Sequence, residues 1–300
     1  MTTVGVVGTG RMGAAMAKAI AAHGHDVVLW NRTPAAADRL ARDLPAARVV
    51  DRPGDVAAAA DVVVSMLADG AAVDEVYRGR DGLIAGATPA TVLVDCSTVP
   101  PATLRAQATT AAEAAVDLLD APVSGSVALA ERGELTLMVG GDPAVLDRAR
   151  PILAGIATTI FHLGPLGSGA AMKLAVNTII FGLNQAIAEG LVLAEAAGVD
   201  RSRAYEVISS SAVAAPFVKY KRAAFVEPDA TPVAFALELA AKDLGLIREL
   251  ADDVGLRLPQ AEVDLELIRS TIAAGRAGRD FSMVAEHLRG SRAKEVAASR

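Results

Sequence analysis

The sequence is short of several things, and each shortage removes a class of function. Its 300 residues contain a single cysteine, Cys96, so neither an intrachain disulfide framework nor a multi-thiolate zinc site can be built. A lone thiol of this kind reads first as a small buried apolar residue. The four histidines, His23, His25, His162 and His287, show no HExxH pattern and no ligand-like cluster, so no metal site is expected. His23 and His25 flank a glycine where a helix should end, which is a capping or surface position. Lys and Arg number 29 against 35 Asp and Glu, a net charge of -6, so nucleic acid and anionic membrane surfaces are not expected partners. Any anionic ligand must be caught locally. The first residues run straight into a strand-like stretch, without the basic segment and apolar core of a secretion signal. No uncharged apolar run reaches the roughly 18 residues that span a bilayer. The nearest, Leu174 to Ile187, is broken by Asn177, Asn184 and Gln185. A soluble cytoplasmic protein is the expectation. Aromatic residues are only 3% while hydrophobic residues reach 52%, so the core should consist of small aliphatic side chains on closely packed helices and strands.

What is present has a clear order. The first half alternates short β-branched runs with helical stretches, the pattern of an α/β fold with a parallel sheet covered on both faces. The predicted strands are Val4–Val7, Val27–Trp30, Val62–Leu67, Val92–Asp95, Asp117–Asp120, Leu135–Val139 and Thr159–Leu163, mostly continuous apolar runs. Pro100-Pro101 and Asp142-Pro143 mark helix starts, because proline tolerates the first turn and Asp can accept a bond from an orphan amide. After Gly164-Pro165-Leu166-Gly167 the strand pattern stops, and the rest reads as helices punctuated by glycine and proline. The expected division is a Rossmann-type nucleotide-binding domain over residues 1–163, an all-α domain over 164–290, and a polar disordered tail over 291–300. One helix, Gly169 to Ala197, should be unusually long.

The stretch Gly8-Thr9-Gly10-Arg11-Met12-Gly13 follows the first strand and opens a helix, the context in which this glycine pattern signifies a dinucleotide site. Gly8 allows the tight turn, Gly10 lets backbone amides approach the pyrophosphate, and Gly13 permits close packing of helix on strand. The helix N-terminus adds positive potential for the phosphates. A NAD-preferring site usually carries an acidic residue at the end of the second strand, whereas this chain has Trp30-Asn31-Arg32-Thr33. Asn31 cannot repel a 2′-phosphate, Arg32 can form charge-assisted bonds to it, and Thr33 adds a hydroxyl, so NADPH is favoured over NADH. Met66 and Leu67, at the end of the third predicted strand, are further candidate cofactor contacts. Ser124-Gly125-Ser126 closes another strand, where hydroxyls and amides can receive a carboxylate, although the same residues also make a simple turn.

Five stretches in order carry a resemblance. These are Val6 to Gly13, then Asp95-Cys96-Ser97-Thr98-Val99, then Asp120-Ala121-Pro122-Val123-Ser124-Gly125-Ser126, then Gly167 to Asn177, and finally Lys242-Asp243-Leu244. Together, and with Asp280-Phe281-Ser282, they resemble the successive signatures of beta-hydroxyacid dehydrogenases over nearly the whole chain. That resemblance implies Lys173 as the catalytic lysine and Asn177 as its neighbour, spaced i and i+4 on one helix face. It also implies Ser124 and Gly125 as substrate contacts, Thr98 and Lys242 as positions near both nicotinamide and substrate, and Asp243 as a residue that could orient Lys242. An ammonium beside a carbonyl oxygen suits the task, since hydride addition to carbon leaves an alkoxide that needs a proton. Many relatives have a second glycine after Ser-Gly and then a Gly-Ala pair, where this chain has Ser126 and Val127-Ala128-Leu129-Ala130-Glu131. In this it looks more like the glyoxylate and succinic semialdehyde reductase branch.

The expected function is hydride transfer between NADPH and a small carboxylate-bearing aldehyde or hydroxyacid. Oxidation of a β-hydroxyacid of the 3-hydroxyisobutyrate type is the alternative direction. Imine reduction is disfavoured by Lys173, which imine reductases usually replace, and a non-catalytic NADPH sensor is disfavoured by the Lys173–Asn177 pair. The Ala-rich helices exceed what one small domain needs to cover itself, so a homodimer or homotetramer formed through the helical domain is expected.

Overall fold

The computed structural model describes residues 2–44 and 46–298, with side-chain surroundings as far as Ser291. The chain divides into two compact units, Met1–Lys173 and Leu174–Arg300.

The first unit alternates strand and helix in the order β1 (Thr3–Val7), α1 (Arg11–Ala22), β2 (Asp26–Trp30), α2 (Pro34–Asp43), β3 (Arg48–Val49), α3 (Pro53–Ala59), β4 (Val62–Ser65), α4 (Gly70–Arg78), α5 (Leu83–Gly86), β5 (Val92–Asp95), α6 (Pro101–Glu113) and β6 (Asp117–Asp120). Their six strands form one fully parallel sheet in the order β3-β2-β1-β4-β5-β6. Successive residues of the central strands face opposite apolar layers. Val6, Val64 and Val94 join one core with Met16 and Ile20, while Val7, Val63 and Leu93 join the other with Tyr77 and Leu104. Burial on both faces is why these strands read as continuous apolar runs.

The expected parallel sheet is formed by β1 to β6, and the predicted strands Leu135–Val139 and Thr159–Leu163 lie outside it. After β6 come β7 (Val123–Ser124), α7 (Val127–Glu131), β8 (Leu135–Val139), α8 (Pro143–Leu153) and β9 (Ala157–His162), and their strands make a separate three-stranded sheet in the order β7-β8-β9. β7 runs antiparallel to β8, and β8 runs parallel to β9. The two-residue strands β3 and β7 are too short to show in a hydrophobic pattern. The predicted strand Val62–Leu67 ends two residues early: the Met66 amide still donates to the Val7 carbonyl at 2.8 Å, but the Leu67 amide goes to a side chain, Ser97 Oγ. The proline boundary signals do mark the helix starts: Asp142 accepts a 2.7 Å bond from the Ala144 amide ahead of α8, and α6 begins at Pro101.

α9 (Ser168–Ala196) follows, and the division between the units falls inside it. With its charged residues admitted, this helix is long and apolar enough to cross a membrane by length and composition, which the count of uncharged residues had not indicated. Its Asn184 is buried and bonded to the Phe281 carbonyl at 3.2 Å.

The second unit continues with α10 (Arg201–Ser210), α11 (Pro216–Val226), α12 (Leu237–Asp253) and α13 (Pro259–Thr271), then a π turn and a 3₁₀ turn, then α14 (Val284–Ala298). Its core gathers most of the chain's few aromatic residues. Phe281 stands edge-on to Phe181 at 6.0 Å and to Phe235 at 5.6 Å. Lys221 is 2% exposed, with Nζ 2.7 and 2.8 Å from the two Asp280 oxygens and 4.3 Å from the Phe281 ring centre. Burial pulls the lysine down and pushes the aspartate up. For Asp280 the pull of Lys221 and of the Ser282 and Phe235 amides outweighs burial and holds the carboxyl below its usual range. The pair is therefore ionic. The stretch 291–300, expected as a disordered tail, is helical as far as Ala298, in keeping with its Ala, Lys and Glu content; residues 299 and 300 lie outside the described residues.

Candidate active site

The glycine loop joins β1 to α1. Gly8 has φ +90, and a Cβ there would lie 2.2 Å from the Met66 carbonyl oxygen; at Gly13 a Cβ would lie 1.9 Å from the Gly8 carbonyl oxygen. No other residue fits either position. Gly10 differs, because the space its Cβ would enter is open. The loop is thus closed tightly on its strand and helix sides and open at Gly10, as a backbone cradle for a dinucleotide requires. The Thr9 hydroxyl is buried with no hydrogen-bond partner among the described residues, a polar group available to such a ligand. Arg11 and Met12 open α1 beside the cradle, and the first turn carries no acidic residue to oppose a phosphate.

Asn31 has a task the sequence did not suggest. Its Oδ1 accepts the Thr9 amide at 2.9 Å and its Nδ2 donates to the Thr33 carbonyl at 3.0 Å, so it ties the glycine loop to the end of β2. Arg32 and Thr33 are exposed beside it, and Arg32 makes no ion pair among the described residues. These residues fit a dinucleotide, and the exposed guanidinium fits a phosphate on its ribose.

A buried polar network holds the neighbouring strand ends. Asp95, at the end of β5, accepts Ser65 Oγ at 2.6 Å, the Ser97 amide at 3.0 Å and Ser97 Oγ at 3.1 Å. Ser97 Oγ in turn accepts the Leu67 amide at 2.8 Å, and Ser65 Oγ meets the Tyr77 hydroxyl at 2.8 Å. Burial pushes the Asp95 carboxyl up to about 6, against the lowering effect of the Ser65 and Ser97 bonds. Met66, Leu67 and Thr98, all half-buried, stand on the loops that this network joins.

Asp120 closes β6 in the same way. It is 1% exposed and accepts the Gly167 and Ala170 amides, both at 2.7 Å, thereby capping the start of α9. Burial raises its pKa while these amides lower it. One buried carboxylate therefore seats the first turn of the helix that carries Lys173, close in sequence to Ser124 at the end of β7 and to Gly125, which follows with φ +142. Ser126 accepts the Leu129 amide at 3.3 Å and caps α7. Neither Asp95 nor Asp120 was singled out by chemistry in the sequence. The available signal was a charged residue ending a run that is otherwise wholly buried.

In the helical unit, Asn177 is buried on α9 and donates to Asp243 Oδ2 of α12 at 2.8 Å. The other Asp243 oxygen lies 3.0 Å from Lys242 Nζ. Asp243 thus links two predicted site residues. Lys173 is half-buried on α9, four residues before Asn177.

Comparison with known proteins matches this arrangement along its length. Residues 3–164 match the family described as the NAD binding domain of 6-phosphogluconate dehydrogenase, and residues 167–288 match that described as NAD-binding of NADP-dependent 3-hydroxyisobutyrate dehydrogenase. The chain is 34% identical over 98% of its length to glyoxylate/succinic semialdehyde reductase 2 of Arabidopsis thaliana, covering 81% of that protein. It is 35% identical over 95% of its length to the NAD-dependent L-serine dehydrogenase of Pseudomonas aeruginosa, covering 97% of it. Among solved structures, 3-hydroxyisobutyrate dehydrogenase of Mycobacterium tuberculosis with L-serine aligns with a TM-score of 0.84 and 33% identity, over 96% of this chain and 99% of that one. Imine reductases share the fold at lower identity, 23% for that of Myxococcus stipitatus. The glycine cradle, the capped helix and these matches together place the chain in the beta-hydroxyacid dehydrogenase family, as an NAD(P)-dependent oxidoreductase of the 3-hydroxyisobutyrate dehydrogenase and glyoxylate/succinic semialdehyde reductase type.

Proposed function

We propose that the protein is an NADPH-dependent reductase of short aldehyde acids, glyoxylate or succinic semialdehyde being favoured, with Lys173 as the proton donor. The observation that carries this reading is the fixing of α9: Asp120 seats its first turn, and Asp243 holds Asn177 one turn beyond Lys173. A lysine placed on so constrained a helix can be presented to a carbonyl oxygen at little entropic loss. When bound, the nicotinamide exchanges a hydride with the substrate carbon. Lys173 then stabilises the developing negative oxygen and gives it a proton, or in the oxidation direction accepts that proton from the hydroxyl. Ser124, the Gly125 amide and Thr98 are assigned to the substrate carboxylate, with Lys242 held by Asp243 for the same substrate. Asn177 orients rather than titrates. The preference for NADPH rests on Arg32, exposed at the end of β2 and without an ion pair among the described residues.

A second reading within the family is oxidation of a β-hydroxyacid such as L-serine, favoured by the relative that is an L-serine dehydrogenase at 35% identity. Both are tested by mixing the protein with NADPH or NADH and a panel of aldehyde acids, and with NADP or NAD and a panel of hydroxyacids, while following cofactor absorbance. Faster consumption of NADPH with glyoxylate or succinic semialdehyde than with any other pair is expected. Turnover confined to hydroxyacids with NAD contradicts it, and cofactor binding with no turnover anywhere indicates a sensor.

The helical unit is further proposed to pair with another copy. Ile179 and Leu193 on α9 are 68% and 71% exposed, and Val207 on α10 is 68% exposed, an apolar display unusual for a surface helix. Sedimentation should show a dimer or tetramer at micromolar concentration, and a monomer contradicts the pairing.

A further inference from the structure

We propose that Asp95 is a positioning residue of the cofactor site, a buried carboxylate that clamps the loop after β4 to the loop after β5. The inference rests on the assignment of Met66, Leu67 and Thr98 to the cofactor and substrate, and it adds a residue to that assignment. The two loops leave adjacent parallel strands at their carboxyl ends, where Ser65 pairs with Asp95 in register. The Cys96 amide bonds the Ser65 carbonyl at 2.8 Å, and beyond it side chains connect the two loops. Ser97 Oγ accepts from Leu67 on one loop and donates to Asp95 at the root of the other. Ser65 Oγ donates to the same Asp95 oxygen, leaving its lone pair for the Tyr77 hydroxyl of α4.

The direction of these bonds makes the clamp depend on charge. With Asp95 ionised, every hydrogen points toward it: Tyr77 to Ser65, Ser65 to Asp95, Leu67 to Ser97, and Ser97 to Asp95 by hydroxyl and amide. A proton on the shared carboxyl oxygen sets a donor against two donors. Ser65 would have to turn away from the carboxyl, and the bond that joins it to Asp95 would be lost. The titratable groups around the carboxyl are Tyr77, Cys96 and Asp120. Asp120 adds repulsion that favours protonation, and burial holds Tyr77 and Cys96 in their neutral forms. Asp95 therefore changes charge at about 6, and the clamp weakens below that pH.

The test uses the full-length chain as wild type, Asp95→Asn and Ser97→Ala, with two readouts. Hydrogen exchange at the Leu67 amide in cofactor-free protein reports the clamp itself, and fluorescence titration with NADPH at pH 7.5 and 5.5 reports its use. Both variants should exchange Leu67 about tenfold faster or more, and bind NADPH about tenfold more weakly at pH 7.5, with thermal midpoints near that of wild type. The wild-type affinity should fall more between pH 7.5 and 5.5 than that of Asp95→Asn; the 2′-phosphate of NADPH titrates in the same range but does so with both proteins. Unchanged Leu67 exchange in the variants overturns the clamp. Faster exchange with NADPH affinity within twofold of wild type, and the same pH dependence, overturns its role in cofactor binding. Wild-type protein that binds neither NADPH nor NADH overturns the functional reading instead, a result recognisable because Leu67 would still exchange faster in the variants. If Asp95→Asn does not fold, Ser97→Ala decides the matter alone.

Discussion

The two units of this chain build their functional residues by different means. In Met1–Lys173, apart from Lys173 at its end, the groups proposed for the site stand mostly on loops at the carboxyl ends of parallel strands, shaped by Gly8 and Gly13, which leave no room for a side chain, and tied by single buried carboxylates, Asp95 and Asp120. In Leu174–Arg300 they are side chains on helices, held by other side chains far away in sequence, as Asn177 is by Asp243. The comparison teaches where a fold can tolerate change. A loop made from backbone fails when volume is added, whereas a side-chain network fails when a charge or a donor is removed.

The largest expected effect lies in the helical unit. Asp280→Ala would leave the Lys221 ammonium buried without its counter-ion and would strip an acceptor from the Ala234, Phe235 and Ser282 amides. Removing one partner of a buried pair typically destabilises by about 3–5 kcal/mol. Denaturant unfolding should show that loss. If the two units are held by separate means, NADPH affinity measured under folding conditions should stay near wild type; a parallel loss of affinity breaks the comparison.

A smaller effect is expected from Arg32→Ala in the first unit. A charge-assisted contact to the 2′-phosphate is worth about 1.5–3 kcal/mol, so NADPH should weaken by that amount while NADH binds as before. Titration of both cofactors against both proteins checks it, and equal wild-type affinities for NADPH and NADH remove the basis of the assignment. The smallest effect is a slope. Because burial raises the Asp95 pKa in the folded state to about 6, the folded protein keeps a proton that the unfolded chain has released. The contribution of Asp95 to stability is thus fully present below the unfolded carboxyl pKa, about 3.9, and is lost as pH rises through about 6. Unfolding free energies measured between pH 4 and 7 should contain a falling component in wild type that is missing in Asp95→Asn. Identical slopes would show that folding does not raise the Asp95 pKa.

How much of this was legible in the sequence follows the same division. Gly8, Gly10 and Gly13 announce the cradle because each acts locally, within one strand–turn–helix unit. The long helix is likewise visible as Ser168–Ala196, one residue from its predicted bounds, since periodicity and flanking glycines are local signals. The role of Asn31 as a tie to Thr9, the cap that Asp120 places on α9, and the bond from Asn177 to Asp243 join residues 22, 47 and 66 positions apart. No local pattern carries such pairings. The small sheet was missed for a related reason: β7 has two residues, and its antiparallel direction depends on the connection through α7 to β8 rather than on any alternation within it.

The central claim is that Lys173, on a helix seated by Asp120, transfers the proton. The most direct measurement compares turnover of glyoxylate and succinic semialdehyde by wild type, Lys173→Ala and Asn177→Ala at saturating NADPH, with cofactor affinity measured separately. General acid assistance contributes roughly 10²–10⁴-fold, so Lys173→Ala should lower turnover by about that factor with NADPH affinity nearly unchanged, and Asn177→Ala should lower it less. A folded Lys173→Ala protein that binds NADPH and turns over these aldehydes at close to the wild-type rate contradicts the account.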